Sequence, residues 1–305
     1  MRLILVLAAY LMLISSCTQT ENFPVLKGPY LGQKPPGLKP EVFAPGIICT
    51  DKYEMNSIFS HDGKEFYYCI STRVNGEFAG YILMMSEEID GVWSKPKHLP
   101  LAGKYDVVDI AFSPDGARLY FCSDLPSDWE SPDGYDIWYV QRTDDGWSKP
   151  INAGRNINSA YGETQPSFTR DGTMYFPSWR PGGAGNVDIY CSKFLDGEFS
   201  PAQRLSDNVN SVHSEGNLFT APDESYLLFI RWGMPDSIDG GKSMYISFKK
   251  KDGSWTKAKN TRPETELYGS LAALTPDGKY LFYSAGGEIY WVDAAIIEKL
   301  KPKDL

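Results

Sequence analysis

Between about residue 41 and the C-terminus, short segments of hydrophobic and aromatic residues alternate with tight polar turns. "TMYFPSW" is followed by "RPGGAGN", and "VDIYCSKF" is followed by "LDGE". Short aromatic and β-branched segments bounded by Asp-Gly turns predict antiparallel strands joined as hairpins. The pattern therefore predicts an all-β protein.

The strand pattern repeats five times. Its turn motif reads "SHDG", "SPDG", "TRDG", "APDE" and "TPDG", with the aspartate at positions 62, 115, 171, 223 and 277. A period of roughly 50 residues is typical of a propeller or a solenoid. Each period contains four strand segments, which is the content of one propeller blade. We therefore predict a five-bladed β-propeller of four-stranded antiparallel blades.

The last repeat lacks a fourth strand, and the N-terminal end of the repeat region supplies a candidate. "KPEVFAPGIICTDKYE", from Lys39 to Glu54, aligns with "SKPINAGRNINSAYGE", from Ser148 to Glu163. An N-terminal strand added to the last blade would close the ring and leave no exposed edge strand there. We predict this closure, in a propeller domain that spans residues 41–305.

The repeats also resemble a known family. "ETQPSFTRDGTMYFPSW" and "DIAFSPDGARLYFCSD" are similar to the Pro-Asp repeats of TolB-like propellers, which are related to WD-repeat propellers. The resemblance covers residues 41 to 293. It implies the propeller fold and a location in the bacterial envelope. It implies little about activity, because the repeated residues build the blades.

The first residues have the composition of an export signal. Arg2 precedes an apolar run that is too short to span a bilayer, so we predict a signal peptide over residues 1–16. The run ends in "ISSC", which resembles the lipobox of bacterial lipoproteins and implies lipidation of Cys17. Residues 17–40 are rich in proline and glycine and predict a lipid-anchored linker. The expected location is the outer membrane, facing the periplasm or the cell surface.

Charge and composition restrict the partner. The formal net charge is −9, and the only basic cluster is Lys249 to Lys251. Nucleic-acid binding requires a positive surface, so we expect no nucleic-acid partner. Aromatic residues make up 14% of the chain, which is typical of a folded domain. We expect a monomer without a cofactor.

The turn motifs and the long loops are predicted to lie on opposite faces of the propeller. The Asp-Gly turns need no ligand to explain them, because Asp and Gly are ordinary turn residues. The long loops carry tryptophans and arginines, which are frequent in contact hot spots. Either these side chains cap the blade ends, or they form a binding surface for a protein or a glycan. The residues concerned are Arg73, Trp129, Trp179, Arg180, Arg231 and Trp232.

Three glutamates recur eight residues before the turn aspartate: Glu54, Glu163 and Glu215. At the start of the innermost strands they would ring the mouth of the central channel, with three amides two residues further on: Asn56, Gln165 and Asn217. In blade two, Asp106 and Asp109 are the candidate substitutes.

Three interpretations of the glutamates remain open. They could bond to backbone N–H groups and lock neighbouring blades together, or bind a ligand or a cation such as Ca²⁺. They could also act as acid and base in a carbohydrate-active enzyme, a glycosidase or a lyase. Backbone bonds to all three carboxylates would remove the basis for the last two.

The sequence favours a binding module over an enzyme. We predict an envelope-anchored propeller that engages a protein or a glycan through its long-loop face. No catalytic residue and no metal ligand is assigned, unless the protein is an enzyme, in which case the three glutamates are the candidates.

Overall fold

Five small antiparallel sheets form a ring in the computed structural model, which describes residues 23–127, 134–234, 241–303 and 305. The prediction of an all-β, five-bladed propeller is confirmed. Within the described residues, no helix has the length and apolar character needed to cross a membrane.

Each blade contains four strands, ordered from the channel outwards. Those of blade one are Tyr53–Phe59, Glu65–Val74, Glu77–Ile89 and Lys97–His98. Those of blade two are Val108–Phe112, Arg118–Ser123, Asp136–Thr143 and Ile151–Asn152. Those of blade three are Ser167–Phe168, Met174–Ser178, Asp188–Ser192 and Gln203–Arg204. Those of blade four are Ser214–Thr220, Tyr226–Trp232, Lys242–Phe248 and Lys259–Asn260. Those of blade five are Ser270–Leu274, Tyr280–Ala285, Glu288–Asp293 and Glu41–Val42.

Shorter elements complete the fold. Further two-residue strands are Leu26–Lys27, Val92–Trp93, Gly146–Trp147, Phe194–Leu195 and Glu198–Phe199. The two 3₁₀ helices are Tyr30–Gly32 and Ala294–Leu300. The second helix packs Ile296, Ile297 and Leu300 into the core shared by blades four and five.

The repeated aspartate builds the turn between the first two strands of each blade. The Asp115 carboxylate accepts the Ser113 hydroxyl at 2.6 Å and the Ala117 N–H at 3.0 Å. The bond from Ser113 holds the pKa of Asp115 below its usual value. The other four aspartates accept the same backbone bond from the residue two positions later. These residues stabilise the fold, as expected for turn residues.

The N-terminal strand closes the ring as predicted. Glu41–Val42 pairs antiparallel with Glu288–Asp293, and the Phe43 N–H donates to the Ile289 carbonyl at 2.8 Å. The Phe43 ring is fully buried between blades five and one, 4.8 Å from the Phe282 centroid. The two ends of the repeat region are therefore joined by backbone hydrogen bonds and by an aromatic core.

The residues before this strand also contact the propeller, although their composition predicts a linker without a core of its own. Leu26–Lys27 pairs with Val92–Trp93, and the Trp93 indole N–H donates to the Gly28 carbonyl at 2.8 Å. The Tyr30 hydroxyl donates to Asp277 at 2.7 Å. This segment crosses the junction of blades one and five on the turn face. The predicted signal peptide and Cys17 lie outside the described residues.

Truncating the side chain at the centre of the closure should destabilise the fold. We expect Phe43→Ala to lower the free energy of unfolding by about 3–5 kcal/mol, because a fully buried Phe leaves a cavity. Thermal or urea unfolding measures the effect. The exposed Leu195 provides the control, and Leu195→Ala should change stability little. Equal melting temperatures for the two variants would contradict the role of the closure.

Candidate ligand-binding funnel

The three repeated glutamates are fully buried. They do not ring the channel mouth, which is where the sequence analysis placed them. Each carboxylate accepts hydrogen bonds from the backbone N–H and the hydroxyl of the residue four positions earlier. These donors, with their N–H distances, are Thr50 (3.3 Å), Ser159 (2.7 Å) and Ser211 (3.2 Å). Each glutamate N–H donates to a carbonyl of the preceding blade. The glutamates therefore hold the connections between blades.

Two of the predicted binding arginines complete these connections. Arg231 donates to the Glu215 carboxylate at 2.8 Å and to the Val209 carbonyl at 2.8 Å, and its guanidinium lies 4.5 Å from the Tyr245 ring centroid. Burial raises the pKa of Glu215, and the bonds from Ser211 and Arg231 oppose this shift. The Glu215 carboxylate is therefore engaged in hydrogen bonds that stabilise the fold.

Arg180 repeats the arrangement one blade earlier. Its guanidinium donates to Glu163 at 3.1 Å and to the Ile157 carbonyl at 2.5 Å, and it lies over the Tyr190 ring. Both arginines thus pair with a buried glutamate inside the ring. These contacts favour the interpretation that the two arginines stabilise the blade ends over the interpretation that they form a binding surface. At Glu163 and Glu215, whose carboxylates are bonded within the ring, neither a cation site nor a catalytic pair has a geometric basis. One oxygen of the Glu54 carboxylate is buried without a hydrogen-bond partner among the described residues. Among the described residues, no group of three or more His, Cys, Asp or Glu side chains could hold a metal ion.

A β-bulge explains why the glutamates miss the channel. The pairing register of the innermost strand shifts just after the glutamate position, for example between Met55 and Ser57 in blade one. The residue within the bulge adopts a left-handed conformation with a positive φ of 44 to 56° in all five blades. A bulge breaks the two-residue alternation of side chains. The glutamate and the residue two positions later therefore face different surroundings.

The five bulge residues form a belt around the channel, which we call the waist: Asn56, Asp109, Gln165, Asn217 and Leu271. Hydrogen bonds link the four polar residues of the waist to neighbouring blades. Gln165 donates its amide to Asp109 at 2.7 Å and accepts the Asn217 N–H at 3.1 Å. Asn56 accepts the Ile110 N–H at 2.6 Å. The prediction that these amides face the channel is correct, and Asp109 occupies the equivalent position in blade two.

Asp109 is the ionisable residue of the waist. Its side chain is almost fully buried, and burial raises the pKa of the carboxyl to about 7. The hydrogen bond from Gln165 acts in the opposite direction by stabilising the charged form. The carboxyl therefore changes charge near neutral pH.

Above the waist, on the long-loop face, the channel widens into a funnel of about 740 Å³. Its floor includes Asp109, Gln165 and Asn217. Its walls carry aromatic side chains, four of which are well exposed: Tyr53 (46%), Phe78 (52%), Tyr161 (55%) and Trp179 (44%). Ligand sites commonly combine a concave apolar wall with a few convergent polar groups.

The structure brings only part of the predicted binding surface to this funnel. Trp179 lies in its wall and Arg73 at its rim, where the arginine donates to the Gly76 carbonyl. Trp232 is half-buried and packs against the backbone of Gly216. Trp129 lies outside the described residues. The remaining predicted residues are the internal glutamates and arginines.

The sequence analysis missed most of the aromatic wall. Tyr53 and Tyr161 stand one and two residues before a repeated glutamate, within the segments that connect the blades. An aromatic residue in two of these segments was an available signal. Tyr81 and Tyr135 also line the funnel, from the third strand or just before it. Each follows a glycine at the equivalent position of its blade, which was a second available signal.

Comparisons with known proteins concern the fold. No protein-family model and no curated protein matches the sequence. TolB from Acinetobacter baumannii is 14% identical, with 79% of this chain and 54% of that chain covered and a TM-score of 0.47. This chain therefore spans about half the length of that protein. A putative TolB from Agrobacterium tumefaciens is 16% identical, with 75% and 88% covered and a TM-score of 0.39. A gluconolactonase from Xanthomonas campestris is 13% identical, with 88% and 97% covered and a TM-score of 0.46. The propeller fold itself is shown by the five antiparallel sheets of this chain.

Removing an internal arginine should affect stability. We expect Arg231→Ala to lower the free energy of unfolding by about 3–5 kcal/mol, because it leaves the Glu215 carboxylate buried without its counter-charge. Chemical denaturation measures this loss. Arg73→Ala, at an exposed arginine, should change stability by less than about 0.5 kcal/mol. Similar effects of the two variants would contradict the internal role of Arg231.

The waist carboxyl should make stability depend on pH. The folded pKa of about 7 lies above the usual value of about 3.9 for an unfolded Asp. Its contribution to stability is therefore present below pH 4 and is lost as the pH rises to 7. We expect Asp109→Asn to match the wild type near pH 4 and to exceed it by about 2–4 kcal/mol at pH 8. Melting curves of both proteins across this range test the prediction, and parallel profiles would refute it.

Proposed function

We propose that this protein is a binding module that takes a glycan in the funnel of its long-loop face. One observation carries the proposal: exposed aromatic walls and a polar floor meet in a single concave site. A sugar ring presents apolar C–H faces, which pack on aromatic rings, and hydroxyl groups at its edges, which require hydrogen-bond partners. The funnel offers both kinds of surface at once.

The shape favours a glycan over a folded protein. A volume of about 740 Å³ lies in the usual range of small-ligand pockets, about 300–1,000 Å³. A standard protein interface instead buries about 800 Å² on each partner. A protein that inserts a loop into the funnel is the competing outcome of the binding test.

The described lining also favours binding over catalysis. Hydrolysis of a glycosidic bond ordinarily uses two carboxyl groups. Among the described residues that line the funnel, Asp109 is the only one with a carboxyl group. Cleavage of a bound oligosaccharide would instead support an enzyme.

We further propose that a lipid anchor at Cys17 holds the protein in the bacterial envelope. The chain that follows this cysteine reaches the propeller on the turn face, at Trp93 and Asp277. An anchor there would hold the turn face towards the membrane. The funnel would then face away from the membrane, where a glycan is accessible.

The anchor is tested by replacing the cysteine. We expect Cys17→Ala to move the protein from the membrane fraction to the soluble fraction, because no lipid can be attached. Fractionation and mass spectrometry of the mature N-terminus measure both effects. A wild-type protein that is soluble and carries no lipid would refute the proposal.

Glycan binding is tested with the purified protein on a glycan array, followed by calorimetry with the strongest binder. We expect Trp179→Ala to weaken binding by about 2 kcal/mol, roughly 30-fold, because it removes an exposed wall of the funnel. Asp115→Ala, on the turn face, should leave the affinity unchanged in a folded protein. If Asp115→Ala weakens binding and Trp179→Ala does not, the assignment of faces is wrong.

A further inference from the structure

The funnel and the lower channel are two cavities that meet at the waist. The lower channel, on the turn face, has a volume of about 370 Å³ and is largely lined by apolar residues. The two cavities share three lining residues, all of them at the waist: Asp109, Gln165 and Leu271. These side chains come from blades two, three and five, so they surround the axis at one level. Asp109 and Leu271 are only 6% and 5% exposed, so the waist leaves little solvent-accessible space around them and forms the floor of the funnel.

Hydrogen bonds hold the floor of the funnel in place. Both ends of the Gln165 amide are bonded, the nitrogen to Asp109 and the oxygen to the Asn217 N–H and the Thr164 hydroxyl. Rotating this side chain out of the axis would leave several shielded polar groups unpaired, which is costly. The floor is therefore a fixed surface.

We propose that the funnel recognises the end of a glycan chain and excludes its interior from the floor. This inference rests on the proposed function. A chain bound through an interior sugar needs two exits from the floor, whereas a funnel that is narrow at the waist offers a sugar chain only its mouth. The terminal sugar would lie on the waist, and the rest of the chain would leave through the mouth, along the exposed rings of Tyr161 and Trp179.

The chemistry of the floor fits a terminal sugar. A terminal residue carries a free hydroxyl where an interior residue carries a glycosidic oxygen, so only the terminal residue has a donor at that position. The Asp109 carboxylate is an acceptor when ionised. The Asn217 side-chain amide, which makes no hydrogen bond to another described residue, can donate and accept beside it. A chain interior would present the carboxylate with an acceptor.

The length dependence of binding tests the inference. The probes are size-fractionated oligosaccharides of two to eight residues: β-1,4-linked N-acetylglucosamine, β-1,4-linked glucose, α-1,4-linked galacturonic acid, and a series built on the strongest array binder. We expect the affinity per mole of chain to become constant once the funnel is filled. The stoichiometry should remain one protein per chain end at every length.

The variant Asp109→Asn tests the floor. Asn occupies the equivalent position in blades one and four, so the backbone conformation and the bond from Gln165 can persist. We expect a loss of about tenfold in affinity at pH 8 for all lengths, without a lower melting temperature. The turn-face variant Asp115→Asn should bind like the wild type.

The outcomes separate the two proposals. An affinity and a stoichiometry that keep increasing with chain length would overturn the recognition of chain ends and leave glycan binding intact. Unchanged affinity in a folded Asp109→Asn protein would also overturn it. If no series binds, the proposed function fails, and the inference fails with it.

Discussion

A β-bulge in the innermost strand of the blades decides which side chains reach the channel. In a regular strand, residues two positions apart face the same side. Glu215 and Asn217 would then both enter the channel or both be buried. The bulge places Asn217 in a left-handed conformation, so Glu215 turns towards the neighbouring blade. One backbone irregularity thus separates the groups that hold the ring from those that line the cavity.

The junction of blades five and one is held differently from the junctions that leave blades two and three. At the junctions leaving blades two and three, an asparagine bonds both backbone groups of a neighbouring strand residue, as Asn210 does with Ile189. Cys49 takes this place at the closing junction, with weaker thiol contacts to Ile289. Ile70 faces Glu54 where Arg231 faces Glu215. The aromatic core and the paired N-terminal segment supply the stability that these polar contacts lack.

The fold could be predicted from the sequence because the pattern of one blade recurs five times along the chain. The turn aspartates, the blade count and the closing strand all follow from positions that recur in register. The placement of Glu163 could not be predicted, because a single bulge reverses the direction in which a side chain points. Arg180 follows the second strand and bonds to this glutamate, so its position could not be predicted without that of Glu163. The funnel was largely missed for a related reason. Phe78 and Tyr135 line the same cavity only because the blades are arranged in a circle, and no spacing along the chain reports this.

Differences between the repeats determine what the funnel can bind. Five equivalent blades would surround the axis with identical groups, and such a site could not orient an asymmetric sugar. The waist departs from this symmetry at two positions, with a carboxyl group at Asp109 and an apolar side chain at Leu271. One side of the floor can therefore accept hydrogen bonds from hydroxyl groups, and another can pack against C–H groups. A ligand that satisfies both sides has one preferred orientation, which gives a repetitive scaffold the means to be selective.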